Sequence, residues 1–330
     1  MMARKPGRLE TKIAGAVASA ASRYYLGKPD LRELLEVKFP TLDSVARAAL
    51  NEVWFRAGSE KGRRLTSVNL EITNHCNLYC TICPVNTTMR RGKGFMDPAL
   101  FRRVIDENLD FDFVLTFQWG EPLLHPQVFE MVRYAADRGV RPLLTSNGTR
   151  LDPDRRRSLL TCGLERITFS VDGDRETHER IRGYSWERLR EDILALKRER
   201  DAAGAALRID VSMVVDESTE SAMDRYLEDW RGVADRVQAI PKFTPKERTS
   251  PCRELWRGAA VVLWDGRVTV CCADSEGAAV IGHATEKPLQ EIWNGPEMRE
   301  FRRSHLEGRY PKICAFCGEF DSPRASKRFS

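Results

Sequence analysis

Three cysteines fall within one short loop, Asn74-His75-Cys76-Asn77-Leu78-Tyr79-Cys80-Thr81-Ile82-Cys83-Pro84. At x3 and x2 spacing, Cys76, Cys80 and Cys83 can wrap a single soft metal centre. Iron–sulfur clusters are held by cysteine thiolates, and a four-iron cluster with three protein ligands keeps one iron open to an exogenous group. The alternative is a zinc site of three thiols completed by His75, although zinc more usually takes two paired Cys-x-x-Cys knuckles. The chain holds nine cysteines, an odd count with no secretion signal, which does not read as a disulfide framework.

The cysteine loop needs elements to position it. Thr66–Thr73 alternates Val68, Leu70 and Ile72 and reads as a strand, so the loop follows it directly. Further β-rich runs lie at Phe111–Gln118, Val140–Thr145, Arg166–Val171, Leu207–Val215 and Val237–Ile240. Helical segments separate them at Pro98–Leu109, Pro126–Arg138, Pro153–Thr161, Trp186–Arg200 and Glu217–Trp230. Such alternation predicts a parallel sheet with helices outside. Six repeats fall short of the eight that close a barrel, so the expected fold is α/β, a partial (β/α)6 TIM-like barrel over residues 66–245. Chemistry in such sheets gathers at the carboxyl ends of the strands.

Beyond residue 245 the rhythm breaks. Ala259–Trp264 and Arg267–Cys272 around Asp265-Gly266 predict a β-hairpin, and a helix follows at Leu289–Leu306 before a Cys-x-x-Cys tail. Residues 246–330 are therefore expected to form a small cysteine-rich hairpin-and-helix domain. Residues 1–65 read as a helical N-terminal extension. It carries 13 basic and 7 acidic side chains, so the net +5 of the whole chain belongs to this segment. A solvated helical face accounts for it, and no nucleic-acid partner is expected. Ile13–Ser22 is too short and too rich in Ala, Gly and Ser for a membrane span. Glu10 and Lys12 beside it argue against a signal peptide, and a cytoplasmic protein is expected.

Cys76-x3-Cys80-x2-Cys83 after the first strand of an α/β series resembles the radical S-adenosylmethionine superfamily. Three further motifs agree in order. Trp119-Gly120-Glu121-Pro122 follows the second strand, where the family usually carries Gly-Gly-Glu-Pro; Thr145-Ser146-Asn147-Gly148-Thr149 follows the third; Ser170-Val171-Asp172-Gly173 follows the fourth. The resemblance implies a [4Fe-4S] cluster on the three cysteines, its open iron chelating the amino and carboxylate groups of S-adenosylmethionine. One electron would then cleave the sulfonium to give a 5′-deoxyadenosyl radical that abstracts a substrate hydrogen. Gly120 and Glu121 match the segment that contacts the methionyl amino group; Ser146 and Asn147 match positions near the carboxylate or ribose; Ser170 and Asp172 line the same rim. Ordinary turn chemistry is the alternative for these loop residues. Two departures stand out. Trp119 replaces the first glycine, and Ile82 stands where many members carry Tyr or Phe.

Cys252, Gly266-x4-Cys271 and Cys314-x2-Cys317 resemble the SPASM/twitch subgroup, whose C-terminal extension binds auxiliary clusters. Four cysteines imply one auxiliary [4Fe-4S] cluster, with four-cysteine zinc as the alternative. Cys272 competes with Cys271, and the spacing from Gly266 favours Cys271. Asp274 lies near this site as a candidate proton acceptor in an oxidation, with a plain loop carboxylate as the alternative. Cys162 and Trp293 read as core residues, His125 as the cap of a following helix, and His178 as a solvated helix start. Relatives with this architecture oxidise a sugar or cyclitol alcohol or modify a ribosomally made peptide. The first is favoured, because residues 1–65 do not resemble a leader-binding winged helix. The implied partners are a small-molecule or peptide substrate and an electron donor of the flavodoxin or ferredoxin type. A non-catalytic zinc protein is the reading from another class.

Overall fold

A computed structural model describes residues 50–317, apart from Arg63, Phe117, 243–246 and Gly258. Residues 1–49 and the tail beyond Cys317, on which part of the sequence reading falls, lie outside the described residues. Of the N-terminal extension, 50–56 is helical, as the spacing of its apolar residues predicts.

The strands are β1 (Ser67–Leu70), β2 (Phe113–Leu115), β3 (Pro142–Ser146), β4 (Arg166–Ser170), β5 (Arg208–Val215) and β6 (Arg236–Pro241). They pair in chain order and all in parallel. Six parallel strands with helices between them form the partial barrel expected from the sequence. The longer helices are α1 (Pro98–Asp106), α2 (Val128–Asp137), α3 (Pro153–Thr161), α4 (Arg175–Arg182), α5 (Trp186–Ala203), α6 (Met223–Trp230) and α7 (Pro296–Leu306). Their starts are set by local chemistry. Asp97, Asp152, Asp174 and Ser185 each accept a backbone N–H of the first turn, and Pro98 and Pro153 preset its φ. Each such cap contributes about 1 kcal/mol.

The hairpin predicted around Asp265-Gly266 is present as β7 (Ala259–Val262) and β8 (Arg267–Thr269), followed by β9 (Val280–His283). It does not make a sheet of its own. β7 lies parallel to β1, pairing Ser67 with Ala259 through Leu70 with Val262, and one nine-stranded sheet runs β6-β5-β4-β3-β2-β1-β7-β8-β9. The free edge of β1, with its unpaired N–H and C=O groups, is thereby covered by the C-terminal region. Among the described residues β6 and β9 are the end strands of this sheet, so the barrel does not close.

The expected helix over Leu289–Leu306 is two helices, Leu289–Trp293 and α7, because Pro296 starts a new first turn after Gly295. The expected helix from Glu217 begins with a tight turn at Glu220–Ala222 and becomes α-helical at Met223. Along β4 and β5, Ile167, Phe169, Val211 and Met213 enter the core beneath the helices. Thr168, Ser170 and Ser212 alternate with them and remain half-exposed. The period of two therefore turns these hydroxyls to the concave face of the sheet. Trp293 and Cys162 are buried in the core, as expected. No helix among the described residues is long and apolar enough to cross a membrane.

Candidate active site

The cysteine loop leaves β1 at the carboxyl end of the barrel and is held from three sides. Glu121 N donates to His75 O at 2.7 Å, and Thr81 N donates to Ile181 O at 3.0 Å. Asn147 Nδ2 donates to Asn77 Oδ1 at 3.1 Å and stands 3.8 Å from Cys76 Sγ. Asn77 in turn donates to Thr149 Oγ1 at 2.8 Å.

Gly120 makes this packing possible. Its φ is +93°, and a Cβ there would stand 2.6 Å from Thr73 O and 2.7 Å from both Asn74 Cα and His75 O. The tight approach expected of the Trp119-Gly120-Glu121 segment is thus an approach to the cysteine loop itself. Only glycine meets both the left-handed φ and the lack of space.

Glu121 is 1% exposed. One carboxylate oxygen accepts from Leu123 N and Ser146 Oγ, each at 2.9 Å, and the other from Asn147 N at 2.6 Å. Burial pushes its pKa up to about 7, against the pull of those hydrogen bonds. Glu121, Ser146 and Asn147 are therefore brought together as one knot behind Cys76. In this arrangement their polar atoms brace the loop rather than wait free for a ligand.

Asp172 is fully buried, accepts from Val214 N at 3.0 Å and pairs with Arg182 at 2.8 Å. The sequence reading missed Arg182. This guanidinium from the last turn of α4 is 11% exposed and is an electrostatic neighbour of Cys76, Cys80, Cys83 and Glu121. Its Nε is buried without a hydrogen-bond partner. His178, expected on a solvated helix start, is fully buried. Its Nδ1 accepts from Asp172 N at 3.4 Å, and burial with Arg182 beside it pushes its pKa down to about 3. His125 accepts from Gln127 N at 3.1 Å as the next helix begins, and its other ring nitrogen meets Met96 O at 3.0 Å. Ser170 is half-exposed on the same rim, and among the described residues its hydroxyl has no hydrogen-bond partner.

Burial raises the pKa of all three loop thiols, that of Cys83 to about 11. A neighbouring cation and deprotonation by a bound metal would both oppose this. Three gathered thiols with one buried, incompletely bonded guanidinium fit an anionic iron–sulfur cluster. They fit a single zinc ion less well. The His75 ring is stacked on Phe95, centroids 4.7 Å apart, rather than completing a ligand set. Among the described residues, no three His, Cys, Asp or Glu side chains close around a one-ion site.

The other four expected ligands meet below the hairpin. Cys314 has Cys252, Cys271 and Cys317 as electrostatic neighbours, and burial raises its pKa to about 12 and that of Cys252 to about 11. Cys252 N donates to His305 Nδ1 at 3.1 Å. Strand alternation does not separate Cys271 from Cys272, since β8 ends at Thr269. Burial does distinguish them: Cys271 packs against the core and Cys272 is exposed.

Asp274 is 2% exposed, and its two oxygens accept from Ala278 N and Ala279 N, both at 2.9 Å. That is the geometry of a turn-forming carboxylate, not of a free proton acceptor. Gln118, next to Trp119, donates to Cys272 O and so ties the loop after β2 to the second cysteine set.

Residues 70–229 match the model of the radical SAM superfamily, and residues 252–318 match SPASM, an iron–sulfur cluster-binding domain. The chain is 37% identical over 115 residues to an AdoMet-dependent heme synthase of Methanosarcina barkeri. That match covers 34% of this chain and only 33% of the synthase. It is 26% identical over 259 residues to the S-adenosyl-L-methionine-dependent 2-deoxy-scyllo-inosamine dehydrogenase of Niallia circulans, covering 76% of this chain and 91% of that one. A crystal structure of BtrN in complex with AdoMet and 2-DOIA shares the fold, with a TM-score of 0.56 at 20% identity over 81% of this chain and 98% of that chain. With its three-thiol loop at the barrel mouth and its four-cysteine set beside it, the chain belongs to the radical SAM superfamily, in the group that carries a SPASM domain.

Proposed function

We infer that this radical SAM enzyme oxidises an alcohol of a small polar substrate, a sugar or cyclitol, with an electron acceptor at the four-cysteine site. The observation that carries this reading is the concave face of the sheet. Thr145 and Thr168 are register partners on β3 and β4, and Ser170 and Ser212 on β4 and β5. All four are half-exposed on that face, and among the described residues none of their hydroxyls has a hydrogen-bond partner. Four unengaged hydroxyls below the cysteine loop suit a ligand that is itself rich in hydroxyl or amino groups. The match to the inosamine dehydrogenase along 91% of its length supports the same class.

Cys76, Cys80 and Cys83 would hold the cluster, and Arg182, whose Nε lacks a hydrogen-bond partner, would serve an anionic group of S-adenosylmethionine. When bound, the pair supplies the hydrogen-abstracting radical, and an auxiliary cluster on Cys252, Cys271, Cys314 and Cys317 supplies a sink for the second electron of an alcohol oxidation. The chain's own part is positional. The knot of Glu121, Ser146 and Asn147 fixes Cys76, Gly120 lets two loops touch, and the hydroxyl ladder orients the substrate carbinol.

The test is anaerobic, reconstituted enzyme with S-adenosylmethionine, dithionite and a panel of cyclitols and aldoses. One alcohol should stimulate 5′-deoxyadenosine formation and yield a ketone. S170A/S212A should raise its KM about 30-fold, from two lost hydrogen bonds of about 1 kcal/mol each. Stimulation by short peptides alone would sink the reading.

A further inference from the structure

The four cysteines of the second set come from three separated stretches, and one side chain ties two of those stretches together. Arg248 N donates to Ala315 O at 2.8 Å. Its guanidinium donates through Nε to Cys314 O at 3.2 Å and through Nη1 to Ser250 O at 3.3 Å. The segment just before Cys252 is thus clipped to the helix that carries Cys314. The positive charge faces Cys252, Cys314 and Cys317 at once.

Arg248 takes part in no ion pair with a carboxylate among the described residues, whereas most of the described arginines do. Glu254 is an electrostatic neighbour of Cys252 and Cys271 from the short helix Glu254–Arg257, and His305 of α7 also stands close to Arg248. The guanidinium brings a fixed positive charge to this site.

A four-iron cluster in its oxidised resting state on four thiolates carries two negative charges, and a third when it accepts an electron. A fixed cation held beside the ligands therefore stabilises the reduced form more than the oxidised one. Net charge and hydrogen bonds to sulfur are among the quantities that set such potentials.

We propose that Arg248 is a positioning residue of the auxiliary site, clipping its ligand segments together and raising the reduction potential of the cluster it faces. The inference rests on the reading of Cys252, Cys271, Cys314 and Cys317 as ligands of one four-iron cluster. Iron and sulfide counts report on that reading separately.

The experiment isolates the auxiliary cluster in a C76A/C80A/C83A background, reconstituted anaerobically, and follows its midpoint potential by electron paramagnetic resonance during a redox titration. R248Q should load about four irons per chain and show a midpoint shifted to more negative potential. R248K, which keeps the charge, should stay near the parent value, and E254Q should shift the midpoint the other way. An unchanged midpoint in R248Q overturns the proposal. Should R248Q fail to hold the cluster, R248K decides the matter. Loading with the parent midpoint upholds the role of the charge; failure to load, or a lowered midpoint, refutes it.

Discussion

The two cysteine sites are built in opposite ways. At the barrel mouth, three thiols lie in one loop and are close before any tertiary contact forms. The fold only has to hold that loop still, and it does so through backbone ties to the loop after β2 and to α4 and through the Asn147 side chain after β3. The second site begins with thiols scattered from Cys252 to Cys317 and exists only after the fold has gathered them. Its pieces are joined by His305 to Cys252 and by Arg248 to Cys314. A local site depends on what lies behind it, and an assembled site depends on what lies between its parts. The hydrogen bond from Gln118 to Cys272 O ties the loop after β2 to the second site.

The largest expected effect tests whether the sites are separable. Replacing Cys76, Cys80 and Cys83 with Ala should abolish reductive cleavage of S-adenosylmethionine while leaving about four of the eight irons per chain. Replacing Cys314 and Cys317 should do the reverse, sparing cleavage and ending substrate turnover. Iron analysis and 5′-deoxyadenosine assays read both results. Loss of all iron in either variant would show that the two sites form one cooperative unit.

A second comparison uses glycines. Gly120→Ala meets backbone atoms of the cysteine loop at 2.6–2.7 Å as well as an unfavourable φ of +93°. Overpacking against backbone adds to the left-handed penalty, for a total of about 3 kcal/mol, and the three-thiol cluster should be lost first. Gly232→Ala has φ +75° and nothing within 4 Å, so its cost should be about 1 kcal/mol with both clusters kept. Denaturant titration of the anaerobic holoprotein compares the two. Equal costs would mean that contact with the cysteine loop is not what requires glycine at position 120.

The sites differed in legibility for the same reason that they differ in construction. A motif within one loop is visible in sequence, and so were the strands that alternate Val68, Leu70 and Ile72 or Ile167 and Phe169. α4 was not. Of its eight residues only Ile181 is a buried aliphatic, and its buried face is otherwise Thr177 and His178, so no apolar period marks it. With only its start marked near His178, the sequence does not place Arg182 beside the thiols, and the polar His178 reads as solvated. β9 was missed because Gly282 and His283 interrupt its β-character. The bracing role of Glu121 was hidden in another way, since it depends on Ser146 and Asn147 arriving from a different strand. Spacing suggested which residues gather, but not which of their atoms are already occupied.

His178 allows the smallest and most specific of these comparisons, because its burial behind the cysteine loop has a titration signature. Its pKa falls from 6.5 to about 3, through burial and then the Arg182 charge. The unfolded chain therefore takes up a proton below pH 6.5 that the folded chain refuses, and stability declines as pH falls. Between pH 6.5 and about pH 5.5 the decline attributable to this residue is about 1 kcal/mol. In H178Q the glutamine can still accept from Asp172 N but does not titrate, so denaturant midpoints should fall less steeply over that interval than in the parent. Parallel profiles would mean that His178 reaches solvent, and the packing of α4 behind the three-thiol site would then be looser than the structure describes.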